Sequence, residues 1–187
     1  MRPPEPNSAD EDLVARLRKG DEAAFATLYR RRQGPIFRFA FHMTSDLVIA
    51  EDVTQEVFLA LLTGRAKFDV SRGSLSAFLF GVARHQVLKR VGRNRATVVE
   101  QDSTADEDVL GDMVRQQTVD QVRRAVLSLP APYREAVVLC DLEESSYEEA
   151  ALALDCPVGT VRSRLNRGRA LLAQKLRSEA SVALGRK

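Results

Sequence analysis

Hydrophobic residues recur every three or four positions along most of the chain, with polar residues between them. Val53, Val57 and Leu61 are the clearest case, because a spacing of four places them on one face of a helix. That helix is predicted over about residues 45–62. We find no segment with the alternation of polar and hydrophobic residues that is typical of a strand. The pattern therefore predicts a nearly all-α protein.

The same periodicity, together with capping and stop signals, predicts eight helices in total. Gly34-Pro35 interrupts the second helix, and a kink or short break is expected there. In the fourth helix, Phe78, Leu79, Val82, Leu88 and Val91 are predicted to face a core. Residues 1–9 are predicted to form a disordered tail. The second predicted helix starts at Asp21 and has apolar residues as far as Phe41. The other seven are predicted at 12–19, 45–62, 74–92, 118–128, 132–141, 147–154 and 158–177.

Charge divides the chain into three parts. Residues 1–95 carry 16 basic and 11 acidic side chains, residues 96–117 carry 1 and 6, and residues 118–187 carry 11 and 9. The net charge of +2 therefore hides two basic blocks on either side of an acidic segment with few apolar positions. This predicts two small helical domains, at 10–95 and 118–178, joined by a flexible acidic linker at 96–117.

Several classes of protein are disfavoured by the composition. No apolar run is long enough to span a bilayer, and the acidic N-terminus does not have the pattern of a secretory signal. Two cysteines without the spacing of a disulfide framework favour a reducing, cytoplasmic compartment. Cys140 and Cys156 have no nearby His and make a poor zinc set, although a redox role stays open. No motif pairs a nucleophile with a base, so we expect neither an enzyme nor a cofactor.

The sharpest motif is a predicted helix-turn-helix. Ser146 and Glu149 have the spacing of a capping box, which starts a short apolar helix. A turn follows, and Pro157 then fits the first turn of a second helix. No acidic residue occurs from Pro157 to Ser178, whereas the preceding helices are rich in acids. This polarity suits insertion of the second helix into a DNA major groove.

The basic helix offers two kinds of DNA contact. Arg162, Ser163 and Asn166 share one face and are predicted to read bases, since Arg pairs with guanine and Asn with adenine. The alternative is an ordinary helical hairpin with a solvated basic face, but the capping box, turn, proline and one-signed helix occur in register. The predicted phosphate contacts are Arg164, Arg167 and Arg169.

Two long stretches resemble one known family. LPAPYREAVVLCDLEESSYEEAALALDCPVGTVRSRLNRGRALL is similar to the promoter-binding C-terminal region of extracytoplasmic-function (ECF) sigma factors. AEDVTQEVFLALL, followed by KFDVSRGSLSAFLFGVAR, is similar to the N-terminal region of that family. The resemblance implies that the first block binds core RNA polymerase and the second block reads the −35 promoter element. The resemblance implies that one face of the third helix binds polymerase, whereas without it a plain solvated face would be the interpretation. The residues of this face are Asp52, Gln55, Glu56 and Leu59.

The resemblance also implies that the first block melts the −10 element and captures the non-template single strand. The loop at 63–73 and the helix after it are basic, with Asp69 as the single acid. Phe68, Phe78 and Phe80 are assigned to the core and not to base stacking. The predicted −10 contacts are Arg65, Lys67, Arg72, Arg84, His85, Lys89, Arg90 and Arg93.

The implied partners are core RNA polymerase, duplex and single-stranded promoter DNA, and an anti-sigma factor, with no membrane insertion. Some positions depart from the usual family pattern, including His85, Lys89 and Gly168, so the promoter sequence stays open. A stand-alone helix-turn-helix regulator and an all-helical enzyme are the alternatives. Tight binding to duplex DNA without polymerase would favour the first, and a polar acid–base pocket would favour the second.

Overall fold

The computed structural model describes residues 6–94 and 113–184, which are helical wherever they have regular structure. A 3₁₀ turn at Val70–Arg72 and a π-helical turn at Val138–Leu142 accompany the α-helices. The all-α prediction is confirmed. Within the described ranges no helix is long and apolar enough to cross a membrane. The α-helices are α1 (Pro6–Leu17), α2 (Glu22–Thr44), α3 (Leu47–Leu62), α4 (Leu75–Asn94), α5 (Met113–Leu127), α6 (Ala131–Val137), α7 (Tyr147–Leu154) and α8 (Val158–Leu184).

Side-chain caps fix the starts of several helices, because each supplies an acceptor for a free backbone N–H. Asp21 accepts from the Ala24 N–H at 3.1 Å and starts α2. Asp46 does the same for α3 at 3.0 Å, so the predicted start of that helix is confirmed. Serine hydroxyls, those of Ser74 and Ser146, cap α4 and α7 in the same way.

The sequence predicted a kink or a short break at Gly34-Pro35. Helix α2 is continuous through Pro35, so the break is absent. Proline inside a helix removes one hydrogen bond and costs about 3 kcal/mol. On either side of Pro35, however, Leu28, Ile36 and Phe39 are buried in the same core. Burial of each of these side chains stabilises the helix by roughly 1.5–3 kcal/mol. Packing on both sides therefore outweighs the local defect.

Two predicted boundaries are also corrected. Helix α1 begins at Pro6, inside the predicted tail, and its buried Asp10 forms ion pairs with Arg31 and Arg32 of α2. These pairs hold the start of α1 against the body of the protein. Helix α5 begins at Met113, so residues 113–117 belong to it and not to a linker. Residues 95–112, which hold the rest of the predicted linker, lie outside the described residues.

One hydrophobic core is shared by the first half of the described chain (residues 6–94) and the second half (residues 113–184). It joins Phe39 of α2 and Leu79 of α4 to Leu139, Leu154 and other residues of the second half. Helices α4 and α7 pack closely, since Gly81 lies against the backbone of Ala153. The two predicted domains are thus packed together in this structure.

The outer end of α4 differs from the prediction. Phe78 is half-buried and Leu79 fully buried, as expected, but Leu88 and Val91 are exposed. Val87 supplies the buried contact in their place. The predicted apolar stripe of α4 thus continues past the end of the core. The predicted core roles of Phe68 and Phe80 are confirmed by their burial.

Candidate nucleic-acid interface

Helices α7 and α8 form a helix-turn-helix. Ser146 accepts from the Glu149 N–H at 3.1 Å, and the Glu149 carboxylate accepts from the Ser146 N–H at 3.2 Å, which completes the predicted capping box. Asp155 ends α7 in the left-handed conformation, with φ of 50°. The Pro157 carbonyl then accepts the first hydrogen bonds of α8. This sharp reversal directs the start of α8 away from α7.

The face of α8 that is predicted to read bases is exposed. Val161 and Leu165 are buried against the rest of the second half, so Arg162, Ser163 and Asn166 point to solvent. We call these three residues the reading face. It has two internal contacts. The Ser163 hydroxyl donates to the Thr160 carbonyl at 2.9 Å. The Arg162 guanidinium lies over the Tyr147 ring at 5.6 Å from its centroid. This cation–π contact restricts Arg162 and ties the reading face to the start of α7.

The three arginines assigned to phosphate are not equivalent. Arg167 is exposed, whereas Arg164 is half-buried and donates to the Cys156 sulfur at 3.8 Å. Arg169 forms two hydrogen bonds with Asp141, at 3.0 and 2.5 Å. A bidentate pair of this kind neutralises much of its charge. Asp141 therefore belongs to the candidate site, although the sequence did not assign it. Its place in the acidic segment before the turn was the sequence feature that could have indicated it.

A groove of about 1160 Å³ runs between the basic loop, α4 and the turn of the helix-turn-helix. Apolar side chains, including Phe78, Val82 and Leu152, also line it. Phe78, which the sequence assigned to the core, is thus half-buried and lines this groove. Four acids also line it, Glu56 and Asp69 from the first half and Glu148 and Asp155 from the second. We call this feature the basic groove, because five of the predicted −10 contacts line it. These are Arg65, Lys67, Arg72, His85 and Lys89.

The other three predicted −10 contacts lie elsewhere. Arg84 donates to the Glu135 carboxylate of the second half at 2.8 Å and is turned away from the groove. Arg90 lies beside Asp52 of α3, at 3.8 Å. Arg93 belongs to α4, but its side chain lies outside the described part of the structure. Arg84 and Arg90 are each engaged by a carboxylate that is distant in sequence, Glu135 and Asp52. Helical spacing alone does not predict such partners.

The face of α3 opposite the core carries the residues predicted for polymerase. Asp52, Gln55 and Leu59 are exposed and Glu56 is half-buried. Val53, Val57 and Leu61 are buried on the other side, as predicted. We call Asp52, Gln55, Glu56 and Leu59 the docking face.

A shallow pocket of about 400 Å³ adjoins the docking face and was not predicted. Phe25, Tyr29 and Phe58 line it, and the Tyr29 and Phe58 rings lie 4.8 Å apart. Leu62 lines the same pocket and is exposed. Val48, one turn before Asp52 on α3, is exposed as well. Their spacing along α3 was the signal for this apolar extension. The docking face is thus acidic at its centre with apolar surface beside it.

Cys140 does not have the surroundings of a reactive thiol. Both cysteines are free and half-buried. Burial raises the pKa of Cys140 to about 11, so its thiol stays protonated at neutral pH. No group of three or more His, Cys, Asp or Glu side chains in the described ranges could hold a metal ion.

A helix-turn-helix with an exposed basic reading face, joined to a helical half with a second basic surface, defines an all-α DNA-binding protein. Family models agree with this class. The model described as sigma-70 region 2 matches residues 28–97, and the model described as sigma-70, region 4 matches residues 120–172. The two matches follow the order in which the sequence predicted the two domains.

Curated relatives extend the match over most of the chain. The ECF RNA polymerase sigma-E factor of Escherichia coli K12 is 32% identical over 184 residues, which cover 89% of this chain and 94% of that protein. The ECF sigma factor SigC of Mycobacterium tuberculosis is 32% identical over 174 residues, covering 89% and 93%. SigW of Bacillus subtilis is 29% identical over 181 residues, covering 88% and 95%. The chain belongs to the ECF sigma factors of RNA polymerase.

Solved structures share the fold. CnrH, solved in complex with the cytosolic domain of CnrY, superposes with a TM-score of 0.71 at 24% identity, covering 91% of this chain and 98% of that one. RpoE of Bartonella quintana, solved with the anti-sigma factor NepR, gives 0.66 at 24% identity, covering 82% and 96%. Both similarities concern the arrangement of the helices.

Proposed function

We propose that this sigma factor binds core RNA polymerase through the docking face, holds the opened −10 element in the basic groove and reads the −35 element with α8. The observation that carries the proposal is the order of two sigma-70 regions on one chain, each with an exposed face of suitable chemistry. The protein would act by binding and not by catalysis. Promoter choice would follow from a few base contacts added to salt-dependent phosphate contacts.

The −35 step would use the reading face in a major groove. Arg162 can donate two hydrogen bonds to guanine, and Asn166 can pair in a bidentate manner with adenine. The stack of Arg162 on Tyr147 supports this role, because a restrained guanidinium loses less conformational freedom on binding. Arg167 is exposed, whereas its neighbour Arg169 is engaged by Asp141, so Arg167 is the best-placed phosphate contact among the three.

Arg162→Ala tests this assignment. Loss of a bidentate base contact should cost about 1–3 kcal/mol at one position of the −35 element and relax the preference there. Arg167→Ala is the matched control, because it should weaken binding evenly across sequences. The comparison can be made by selecting promoters from a randomised −35 library with the holoenzyme. An unaltered base profile for Arg162→Ala contradicts the assignment.

The −10 step would use the basic groove for a single strand. Exposed cations that line it can contact the backbone, and its apolar side chains offer a surface for bases. Extruding a base from a duplex costs only a few kcal/mol, which such contacts can supply. Lys67→Gln tests this step. Lys19→Gln is its matched control, since Lys19 is exposed but does not line the groove. Lys67→Gln alone should slow promoter opening, measured by permanganate reactivity of unpaired thymines.

The docking face suits a basic partner surface, because Asp52 and Glu56 lie next to exposed apolar side chains. Glu56→Lys should abolish binding to core polymerase and leave the helical content unchanged, as reversal of a charge opposes a complementary surface. Glu144→Lys is the charge-matched control in the second half, where Glu144 is exposed. Fluorescence anisotropy with labelled protein gives both affinities. An unchanged affinity of Glu56→Lys for core enzyme contradicts the docking face.

We also infer that an anti-sigma factor regulates this protein. RpoE of Bartonella quintana, which shares the fold, was solved with the anti-sigma factor NepR. The decisive test of the whole proposal is transcription from a promoter library with purified core polymerase, with and without this protein. Initiation that depends on the protein is expected and would reveal both promoter elements. Failure to initiate, combined with tight binding to duplex DNA alone, would identify a stand-alone regulator.

A further inference from the structure

The basic loop between α3 and α4 is anchored at two points by its own hydrogen bonds. Near its start, the Ala66 N–H donates to the Ala60 carbonyl at 3.0 Å. Further along, the Asp69 carboxylate accepts from the Ser71 N–H at 3.0 Å and from the Ser71 hydroxyl at 2.8 Å. The segment Lys67-Phe68 lies between these anchors. Its position therefore depends on contacts with other parts of the chain.

Phe68 makes two such contacts, one with its side chain and one with its backbone. The residue is 4% exposed, and its ring centroid lies 5.5 Å from that of Phe78 in α4. Its carbonyl oxygen accepts a hydrogen bond from the Arg18 guanidinium. The ring thus holds the side chain in the core, and Arg18 holds the peptide group that joins Phe68 to Asp69.

Arg18 comes directly after the end of α1, which is itself firmly held. Val14 of that helix is buried, and the buried Asp10 ties its start to α2. The Asp21 carboxylate, three residues after Arg18, is occupied by Arg16 at 3.0 and 2.8 Å. Arg18 therefore donates to the loop carbonyl instead. A hydrogen bond from a charged donor is stronger than one between neutral groups.

A cavity of about 780 Å³ lies behind this part of the loop, between the loop, α1, the start of α2 and the end of α3. Residues 66–68 line both this cavity and the basic groove, so the segment has open space on two sides. Packing supports this stretch of backbone mainly through the Phe68 ring. The hydrogen bond from Arg18 is thus the contact that keeps the backbone from moving into the cavity.

We propose that Arg18 is a positioning residue for capture of the −10 strand, which acts through the Phe68 carbonyl. Arg18 need not touch the strand itself. By fixing the peptide group after Phe68, it holds the neighbouring Lys67 where the strand passes. This inference rests on the proposed function, in which Lys67 contacts the −10 element. Residues of the first half alone make the contact, so it does not depend on the second half.

Arg18→Gln removes the charged donor, and its effect on the loop can be measured in the full chain without DNA or polymerase. Lys19→Gln is the matched control, because Lys19 is the exposed cation next to Arg18. Phe68-Asp69 is the only Phe-Asp pair in the sequence. Phenylalanine labelled with ¹³C at the carbonyl and aspartate labelled with ¹⁵N therefore give one NMR signal that reports the Phe68 carbonyl. This carbon should move upfield in Arg18→Gln and stay in place in Lys19→Gln.

Promoter opening by the holoenzyme, followed by permanganate reactivity of unpaired thymines, is the second readout. Arg18→Gln should slow opening about fivefold, because a hydrogen bond from a charged group is lost. Arg18→Lys keeps a charged donor and should restore most of the rate. Lys19→Gln should open the promoter at the wild-type rate. Affinity for core polymerase should be the same in all these variants, since the docking face lies on α3.

A double variant separates positioning from direct contact with DNA. If Arg18 acts through Lys67, Arg18→Gln should have a much smaller effect on opening once Lys67→Gln is present. Independent contacts of both side chains with the strand would instead multiply the two losses of rate. That result would overturn the proposal.

Two further outcomes would also overturn it. An unmoved Phe68 carbonyl signal in Arg18→Gln means that Arg18 does not hold this peptide group. A moved signal with a wild-type rate of opening means that capture of the strand does not need the support. Failure of the proposed function has a different signature. The wild-type protein would then not initiate transcription, although the Phe68 signal still responded to Arg18→Gln.

Discussion

Gly168 of α8 packs against Val137 and Tyr133 of α6, and its replacement by alanine has two effects of opposite sign. Alanine is favoured over glycine inside a helix by about 1 kcal/mol. The added methyl carbon, however, would lie 2.7 Å from Val137 Cγ2 and 3.2 Å from the Tyr133 carbonyl oxygen. Val137 is buried and β-branched, so its methyl cannot swing away, and Tyr133 presents backbone.

The magnitude follows from these two terms. Forcing an extra carbon into a packed interface costs typically 1–3 kcal/mol. After the gain in helix propensity, Gly168→Ala should lower the free energy of unfolding by about 1 kcal/mol. Gly159→Ala is the control in the same helix, because nothing lies within 4 Å of its added carbon. That substitution should raise the free energy of unfolding by up to about 1 kcal/mol.

Urea unfolding followed by circular dichroism measures both differences. The double variant Gly168→Ala with Val137→Ala identifies the clash, since the smaller residue frees the space that the new methyl needs. Its destabilisation should be smaller than the sum of the two single changes by about 1 kcal/mol or more. Additive effects, or a Gly168→Ala protein as stable as Gly159→Ala, would show that α6 does not require glycine at this position.

Single contacts elsewhere in the molecule give three further predictions. Ser146→Ala removes one partner of the capping box and should lower the free energy of unfolding by about 1 kcal/mol; an unchanged urea midpoint contradicts this. Asp141→Asn frees Arg169, so the salt dependence of duplex binding should steepen by about one unit of log–log slope; an equal slope contradicts it. Burial and two arginines lower the pKa of His42 in the folded protein. As the pH falls below about 6.5, the unfolded chain binds the proton first, so the free energy of unfolding of the wild type should decrease. His42→Phe should flatten that pH dependence, measured by urea titrations.

Local signals account for the parts of the fold that the sequence predicts well. The caps at Asp21, Asp46 and Ser146, and the stripe of α3, involve partners within a few residues, so periodicity and capping rules suffice. The exposure of the reading face follows from Val161 and Leu165 in the same way. Pro35 marks the limit of such rules, because burial of residues distant in sequence keeps α2 continuous there.

The contacts between the halves lie beyond local rules. Arg84 and Glu135 are 51 residues apart, and Arg38 and Glu143 are 105 apart, so no helical spacing relates them. One signal did exist, because Glu135 directly precedes an apolar run at 136–140 and a buried acid is rarely left unpaired. That reasoning predicts a cation beside Glu135 and leaves its identity open. The family resemblance and the local charge assigned Arg84 to DNA, whereas its packing places it in the interface.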